Sequence, residues 1–383
     1  MPRIQLVYFN AGGGHRAAAR ALEAAIPRRH PDWEVRAFNL FDVLDPKGKF
    51  RRLARIEPED LYNLRLKKGW TAGLAQELKI LQASIRLAQA FLVRRLVPYW
   101  RASSPNLIVS LIPNFNRPLI DSLNIALPAV PYLTVMTDLA DHPPNFWIEP
   151  DTAQHIACGT DRAVAQARSM GVPEQRIHRT SGMMLHPDFY GPVLADVAAV
   201  REELGLEPGR LTGVVMFGGH GAPAMETIAQ QLHDVQLVLM CGHNDKLAAR
   251  LRRTQASAPR AVLSFTPQVR RYMQVGDFFV GKPGPGGISE AVHLGLPVIT
   301  FKNRWTMPQE RYNPDWVVEN RLGVVVNSAR AIRPAVMQLL NDLESYRSSV
   351  HQVRNVAVFD VVDIMSLMLA GVAQQAAGTM RIA

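Results

Sequence analysis

Three times in this chain a short apolar run ends in clustered glycines, and a helix-forming stretch follows at once. Ile4–Phe9 runs into Asn10-Ala11-Gly12-Gly13-Gly14-His15 and then an Ala-rich segment ending at Ile26. Gly213–Phe217 runs into Gly218-Gly219-His220-Gly221 and then Met225–Leu232. Phe278–Val280 runs into Gly281-Lys282-Pro283-Gly284-Pro285-Gly286-Gly287 and then Ile288–Leu294. A buried strand that turns straight into a helix is followed by a parallel strand, because the helix carries the chain back across one face of the sheet. This feature restricts the chain to an α/β architecture.

The remaining pattern agrees. Glu34–Asn39, Leu107–Leu111, Tyr132–Met136 and His155–Cys158 read as further strands of a first half, with a helix from near Thr160. Val235–Met240, leading into Cys241-Gly242-His243, then Val262–Phe265 and Pro297–Phe301 read as strands of a second half. The alternation starts twice, and 383 residues suffice for two domains. Two Rossmann-like domains are therefore expected, with parallel sheets facing a cleft. Pro187, Pro192, Pro208 and Gly209 place the boundary within 185–212. We assign the domains to 1–190 and 191–383, with the last helix a candidate to pack back on the first.

Composition narrows the function classes. A hydrophobic share of 48% against 20% charged residues excludes wholesale disorder. Two cysteines, Cys158 and Cys241, exclude a disulfide framework and a cysteine-rich zinc site. Residues 1–25 do not read as a secretory leader, and Arg interrupts the long apolar runs short of the ~20 residues a membrane helix needs. A cytoplasmic chain without a membrane span is the expectation. The net charge of +10 is unevenly placed: residues 47–101 hold 13 Lys/Arg and four acids. There Leu74, Leu78, Leu81, Ile85, Ala88, Leu92 and Leu96 recur at spacings of three and four, one helical stripe expected to pack on its own domain. The basic residues around it suit an anionic partner such as a membrane surface. Aromatic residues that would stack single-stranded RNA are sparse in this segment, so no nucleic-acid partner is expected.

The glycine turns carry the chemistry. Glycines such as Gly13 and Gly14 let a phosphate approach the backbone, and the helix start offers N–H groups and a partial positive charge. The spacing of Gly12, Gly14 and Ala17 loosely fits a dinucleotide site, but Asp32 precedes the second strand instead of ending it, against a nicotinamide cofactor. His15, at the head of its helix, is a candidate general base or phosphate ligand that the dipole helps keep neutral. Gly218 to Gly221 repeats the device in the second domain, which points to a phosphorylated ligand between the domains. Glu290 can accept hydrogen bonds from two vicinal ribose hydroxyls, and Lys282 can offset diphosphate charge. Gln309 and Glu310, ahead of a helix-like Tyr312–Asn320, suit sugar hydroxyls. Asp138, at the carboxyl end of a strand, can orient a histidine or take a proton. With His142 it lacks a third ligand, so no metal is expected.

Together these stretches resemble glycosyltransferase family 28, specifically monogalactosyldiacylglycerol synthases and processive diacylglycerol glucosyltransferases. Gly12 to Ala18 is similar to the family's GGGH motif, and Thr137-Asp138-Leu139 with His142-Pro143 and Trp147 to its TDL…HP..W stretch. Lys282 to Ala291 resembles KxGPGxIxEA, with Gly287 where Thr is usual, and Gln309-Glu310 with Trp316 to Asn320 resembles QE…VVEN. The wording FGGHGAPAM of the second-domain turn departs from the family.

The resemblance implies a GT-B fold, a UDP-sugar donor (UDP-galactose or UDP-glucose) and inverting transfer with neither cofactor nor metal. It implies a lipid acceptor, most simply diacylglycerol, met by a protein lying peripherally on the inner, cytoplasmic face of an anionic membrane. By the same resemblance Glu290 binds the ribose and the backbone near Phe265 the uracil. Gly218, Gly219, His220 and Gly221, with Pro285, Gly286, Gly287 and Ile288, meet the diphosphate, and Gln309 and Glu310 hold the sugar. Gly13, Gly14, Gly242 and Lys282 complete the donor loops. His15 is the first candidate base and Asp138 the second. A soluble-acceptor transferase and a UDP-sugar epimerase are the alternatives.

Overall fold

The structure, a computed structural model, describes residues 1–10, 13–46, 74–194 and 196–380. Ala11 and Gly12 of the first turn lie outside the described residues. So do Lys47, Lys49, Arg51, Arg52, Arg55, Arg65, Lys67 and Lys68 of the basic segment. The chain forms two units, Met1–Pro187 with Val356–Ala383, and Asp188–Asn355.

Unit 1 opens with β1 (Arg3–Tyr8), α1 (Gly14–Arg29) and β2 (Glu34–Asn39). It continues with α2 (Leu74–Leu87), α3 (Gln89–Ser103), β3 (Leu107–Ser110), α4 (Asn116–Ala126) and β4 (Tyr132–Val135), then β5 (His155–Cys158), α5 (Asp161–Ser169) and β6 (Ile177–Arg179). The six strands pair in parallel in the order β2-β1-β3-β4-β5-β6. β3 and β4 are buried at every position, as strands covered on both faces must be. The sheet order reverses between β1 and β3, so the turn after β1 sits at a switch point, where α/β sheets expose backbone to ligands.

The apolar stripe of 74–96 is two helices, not one: the chain breaks at Ala88, whose ψ is 0°. Ile85, Leu92, Leu96 and Trp100 enter the core, where Trp100 Nε1 donates to Ser122 Oγ of α4 at 2.8 Å. Burial of each large side chain contributes roughly 1.5–3 kcal/mol. The amino-terminal part departs from the expected packing, since Leu81 of the stripe is exposed together with Ile80 and Leu87.

The expectation that Arg interrupts every long apolar run also fails, at the C-terminal helix Ala357–Met380, which has no Lys or Arg and only Asp360 and Asp363 as acids. The stretch Leu343–Val372 is long and apolar enough to cross a membrane by length and composition. Within it Val358, Val361, Val362 and Met365 are buried. The C-terminal helix packs on α1, with Arg29 paired to Asp363 and set over the Phe359 ring.

Unit 2 runs β7 (Thr212–Met216), α6 (Ala224–Gln231), β8 (Gln236–Met240), α7 (Asp245–Arg253), β9 (Arg260–Leu263) and β10 (Phe278–Gly281). α8 (Pro285–His293), β11 (Val298–Phe301), α9 (Asn313–Glu319) and β12 (Gly323–Val326) follow. Its strands are parallel in the order β12-β11-β10-β7-β8-β9. β7 and β10 are neighbours at the reversal point, so the turns that follow them emerge side by side. β9 begins two residues before the expected Val262, because Arg260 and Ala261 already pair with Leu237 and Val238 of β8; the Arg260 guanidinium donates to the carbonyls of Ala229 and Leu232. Phe265 therefore stands in the loop beyond the strand.

Candidate active site

The site residues fall into two sets, one in each unit. In unit 1, Gly13 opens α1 with φ +83°, a left-handed conformation that favours glycine. A Cβ added at Gly13 or Gly14 would meet nothing within 4 Å, so packing within the protein does not require glycine at 14. An open approach to backbone is what a phosphate needs. His15 follows, its Nδ1 3.2 Å from Thr137 Oγ1 and its ring centroid 5.9 Å from that of Trp147. Burial lowers the imidazole to about 4, against a hydrogen bond to the Leu111 backbone that favours the charged form. The ring is thus neutral at physiological pH, as a general base must be.

Asp138 is buried and accepts a hydrogen bond from Trp147 Nε1 at 3.0 Å. Trp147 is fully buried, so its indole N–H requires a partner, and Asp138 is that partner. The two sequence candidates, His15 and Asp138, thus share Trp147 as a neighbour. Asp141 shapes the turn between them: it accepts the backbone N–H groups of Asn145, Phe146 and Trp147 at 3.0, 3.0 and 2.6 Å. Burial nevertheless raises Asp141 to about 6. Sequence reasoning missed this organising role, although an aspartate before a Pro-Pro-Asn turn is the signal that could have revealed it.

In unit 2 the turn after β7 packs on the turn after β8. A Cβ at Gly242, where φ is +57°, would fall 2.2 Å from the Gly219 carbonyl oxygen. His243 N–H donates to that oxygen at 2.8 Å, and Asn244 Nδ2 to the His220 carbonyl at 3.1 Å. The His220 and His243 rings lie 5.9 Å apart, and Phe265 stacks on His243 at 3.9 Å, an aromatic pair the sequence did not reveal. Phe265 remains exposed.

The turn after β10 completes the set. Lys282 Nζ bonds Glu310 Oε1 at 3.1 Å, and a Cβ at Gly218 would meet the Lys282 side chain at 3.7 Å. Lys282 therefore spans from the buried Glu310 to the glycine turn after β7. A Cβ at Gly284 would lie 3.0 Å from Lys282 Cε, so glycine there leaves room for the pair. Pro285 is the first residue of α8, and Gly286 and Gly287 follow it, so no side chain covers the free N–H groups of the first helical turn. Ile288 is buried and roots the helix. Glu290 makes no side-chain hydrogen bond among the described residues, and burial raises its carboxyl to about 7. Gln309 Nε2 contacts Met307 Sδ at 3.8 Å in the short 3-10 turn that ends at Glu310. The unit thus joins a bare helix start, a half-exposed lysine bridged to the buried Glu310, and an unpartnered carboxyl, a set suited to a diphosphate with hydroxyl-bearing groups at its ends.

Residues 214–363 match the glycosyltransferase family 28 C-terminal domain. The match covers most of unit 2 and runs on into the start of the C-terminal helix. Gly218, Gly242, Lys282, Glu290 and Glu310 all lie within the match.

Monogalactosyldiacylglycerol synthase of Spinacia oleracea is 27% identical over 94% of this chain and 71% of its own length. Monogalactosyldiacylglycerol synthase 1 of Arabidopsis thaliana is 27% identical over 87% of the chain, which spans 64% of that relative. Among solved structures, MurG of Acinetobacter baumannii matches with a TM-score of 0.58 at 13% identity, over 95% of this chain and 99% of its own. The fold is GT-B, with one Rossmann-like sheet in each unit. The unit 2 site residues described above all fall within the matched stretch.

Proposed function

We propose that the protein is an inverting, metal-independent glycosyltransferase that moves a hexose from UDP-galactose or UDP-glucose to diacylglycerol at an anionic membrane. The observation that carries this reading is the family 28 domain's pairing of an unpartnered Glu290 with the Lys282–Glu310 bridge beside two glycine turns. The similarity to monogalactosyldiacylglycerol synthases supports the acceptor class.

In this reading Glu290 accepts the two ribose hydroxyls and the loop at Phe265 receives the uracil. The start of α8, the Gly218–Gly221 turn and Lys282 take the diphosphate. Gln309 and Glu310 hold the hexose. His15, neutral and flanked by Thr137 and Trp147, removes the acceptor hydroxyl proton as that oxygen attacks the anomeric carbon. Asp138 is the second candidate for this step. UDP departs as its growing charge meets the helix N–H groups and Lys282, contacts each worth on the order of 100-fold in turnover. The exposed Ile80, Leu87 and Phe91, with Lys79, Arg94 and Arg95 on the same helix pair, support a peripheral membrane contact on the cytoplasmic face.

The test is UDP release with each donor, with and without anionic vesicles containing diacylglycerol. Release that requires lipid, with one donor preferred, is the expected result and names the sugar. Release with a soluble acceptor alone would replace the lipid reading, and no release under any condition would overturn the transfer.

A further inference from the structure

A second polar site lies in unit 1, lined by neither His15 nor Asp138. It is a cavity of about 290 Å³ beside α2, the start of α4 and the turn organised by Asp141. Gln82, Gln89, Asn114 and Asn145 line it with four amides, and Arg86, Arg117 and Glu149 with charge. Ile85 and Pro118 are its two apolar residues.

Two features mark it as a built site. Asn114 and Asn145 both have left-handed backbones, φ +64° and +61°. A non-glycine residue held there costs of order 1 kcal/mol and persists where its surroundings over-determine it. Here they do: Gln82 Nε2 donates to Asn114 Oδ1 at 3.1 Å and to the Asn145 carbonyl at 3.3 Å, and Asn114 N–H donates to the Phe146 carbonyl at 2.6 Å. Arg117 Nε meets Glu149 Oε2 at 3.3 Å, and its Nη2 donates to the Pro150 carbonyl. Arg86 makes no hydrogen bond among the described residues.

The lining selects the ligand. Side-chain amides present donors and acceptors together, which matches hydroxyls that donate and accept at once. The acceptor oxygens of Glu149 and the asparagines disfavour a bare inorganic anion, and two apolar residues, Ile85 and Pro118, are too few to line an acyl chain. The volume lies at the small end of ligand cavities, suited to one ring.

We propose that this cavity binds a single pyranose ring of a glycoside, its hydroxyls read by Gln82, Asn114, Asn145 and the Arg117–Glu149 pair. The turn that frames it is held by Asp141 and continues to Trp147 and Asp138, so a bound sugar bears on the segment that positions the candidate base. The site lies outside the donor loops and stands independently of the proposed transfer.

Saturation-transfer NMR with methyl β-D-glucopyranoside and methyl β-D-galactopyranoside tests it, on the whole chain with excess UDP present. Inorganic phosphate is the parallel probe. At least one glycoside should bind. The double variant Asn114→Gly/Asn145→Gly keeps the left-handed backbone while removing both amides, and should lose at least tenfold in affinity with its circular dichroism unchanged. If that variant does not fold, Glu149→Gln, which preserves shape, should lose about tenfold. Absence of glycoside binding, binding unchanged in the folded variants, or binding of phosphate in place of glycosides would each overturn the proposal. Failure of UDP itself to bind would count against the donor reading and leave this one intact.

Discussion

Burial lowers the His15 imidazole to about 4 and raises the Glu290 carboxyl to about 7. For His15 the neutral form therefore persists well below the usual imidazole range. With His15 as base, turnover should hold from pH 8 down to about 5 and fall as pH drops through about 4, read by UDP release. His15→Ala should lose about 100-fold or more in turnover while the melting temperature changes little. Glu290 works in the other sense. Between 4.5 and about 7 the folded protein holds a proton that the unfolded chain releases, so this group makes stability fall as pH rises through that window. Glu290→Gln should therefore raise the melting temperature at pH 8 and leave it nearly unchanged at pH 4.5. The same variant should weaken UDP binding roughly tenfold by titration calorimetry, the loss of a charged hydrogen-bond acceptor. Both residues were legible in the sequence, because each follows a glycine turn at the head of a helix. The Trp147–Asp138 bond was not, since nothing local says which way a buried indole will point.

At the scale of the element, two glycines of the second unit should respond oppositely to alanine. Gly242 combines φ +57° with a Cβ position 2.2 Å from the Gly219 oxygen. Gly242→Ala should cost more than ~2 kcal/mol in chemical denaturation, because strain and a backbone clash add. At Gly287, inside the first turn of α8, a Cβ would meet the Phe279 ring at 3.6 Å and Met216 Cε at 3.8 Å, both ordinary contacts. Gly287→Ala should leave stability unchanged or raise it by about 0.4–1 kcal/mol, since alanine loses less entropy in a helix. Both glycines sit in sequence-predicted turns, yet the sequence does not distinguish them; only the neighbouring chain does. The same limit applies to strands. The buried central strands announce themselves as apolar runs, whereas Ile177-His178-Arg179 of β6 has no such run and becomes a strand by pairing with β5.

For the whole molecule, the proposed transfer assigns the exposed apolar and basic side chains of α2 and α3 to contact with the lipid surface. Binding to anionic vesicles should weaken as salt rises, measured by co-sedimentation. Arg94→Ala/Arg95→Ala should weaken it by about 30-fold, at about 1 kcal/mol for each charge near the surface. Neutral vesicles that bind equally well, or binding indifferent to salt, would remove the electrostatic part of the reading. The α/β class, the doubled strand–helix alternation and the positions of the glycine turns were legible because each depends on near neighbours in the chain: periodicity, turn chemistry and helix starts are local. The assignment of the C-terminal helix to the first unit, the break of the 74–96 stripe into two helices at Ala88, and the Lys282–Glu310 bridge across 28 residues were decided by tertiary packing. Burial, hydrogen-bond partners and clashes are set by which distant segments share a volume, and that is a property of the folded chain.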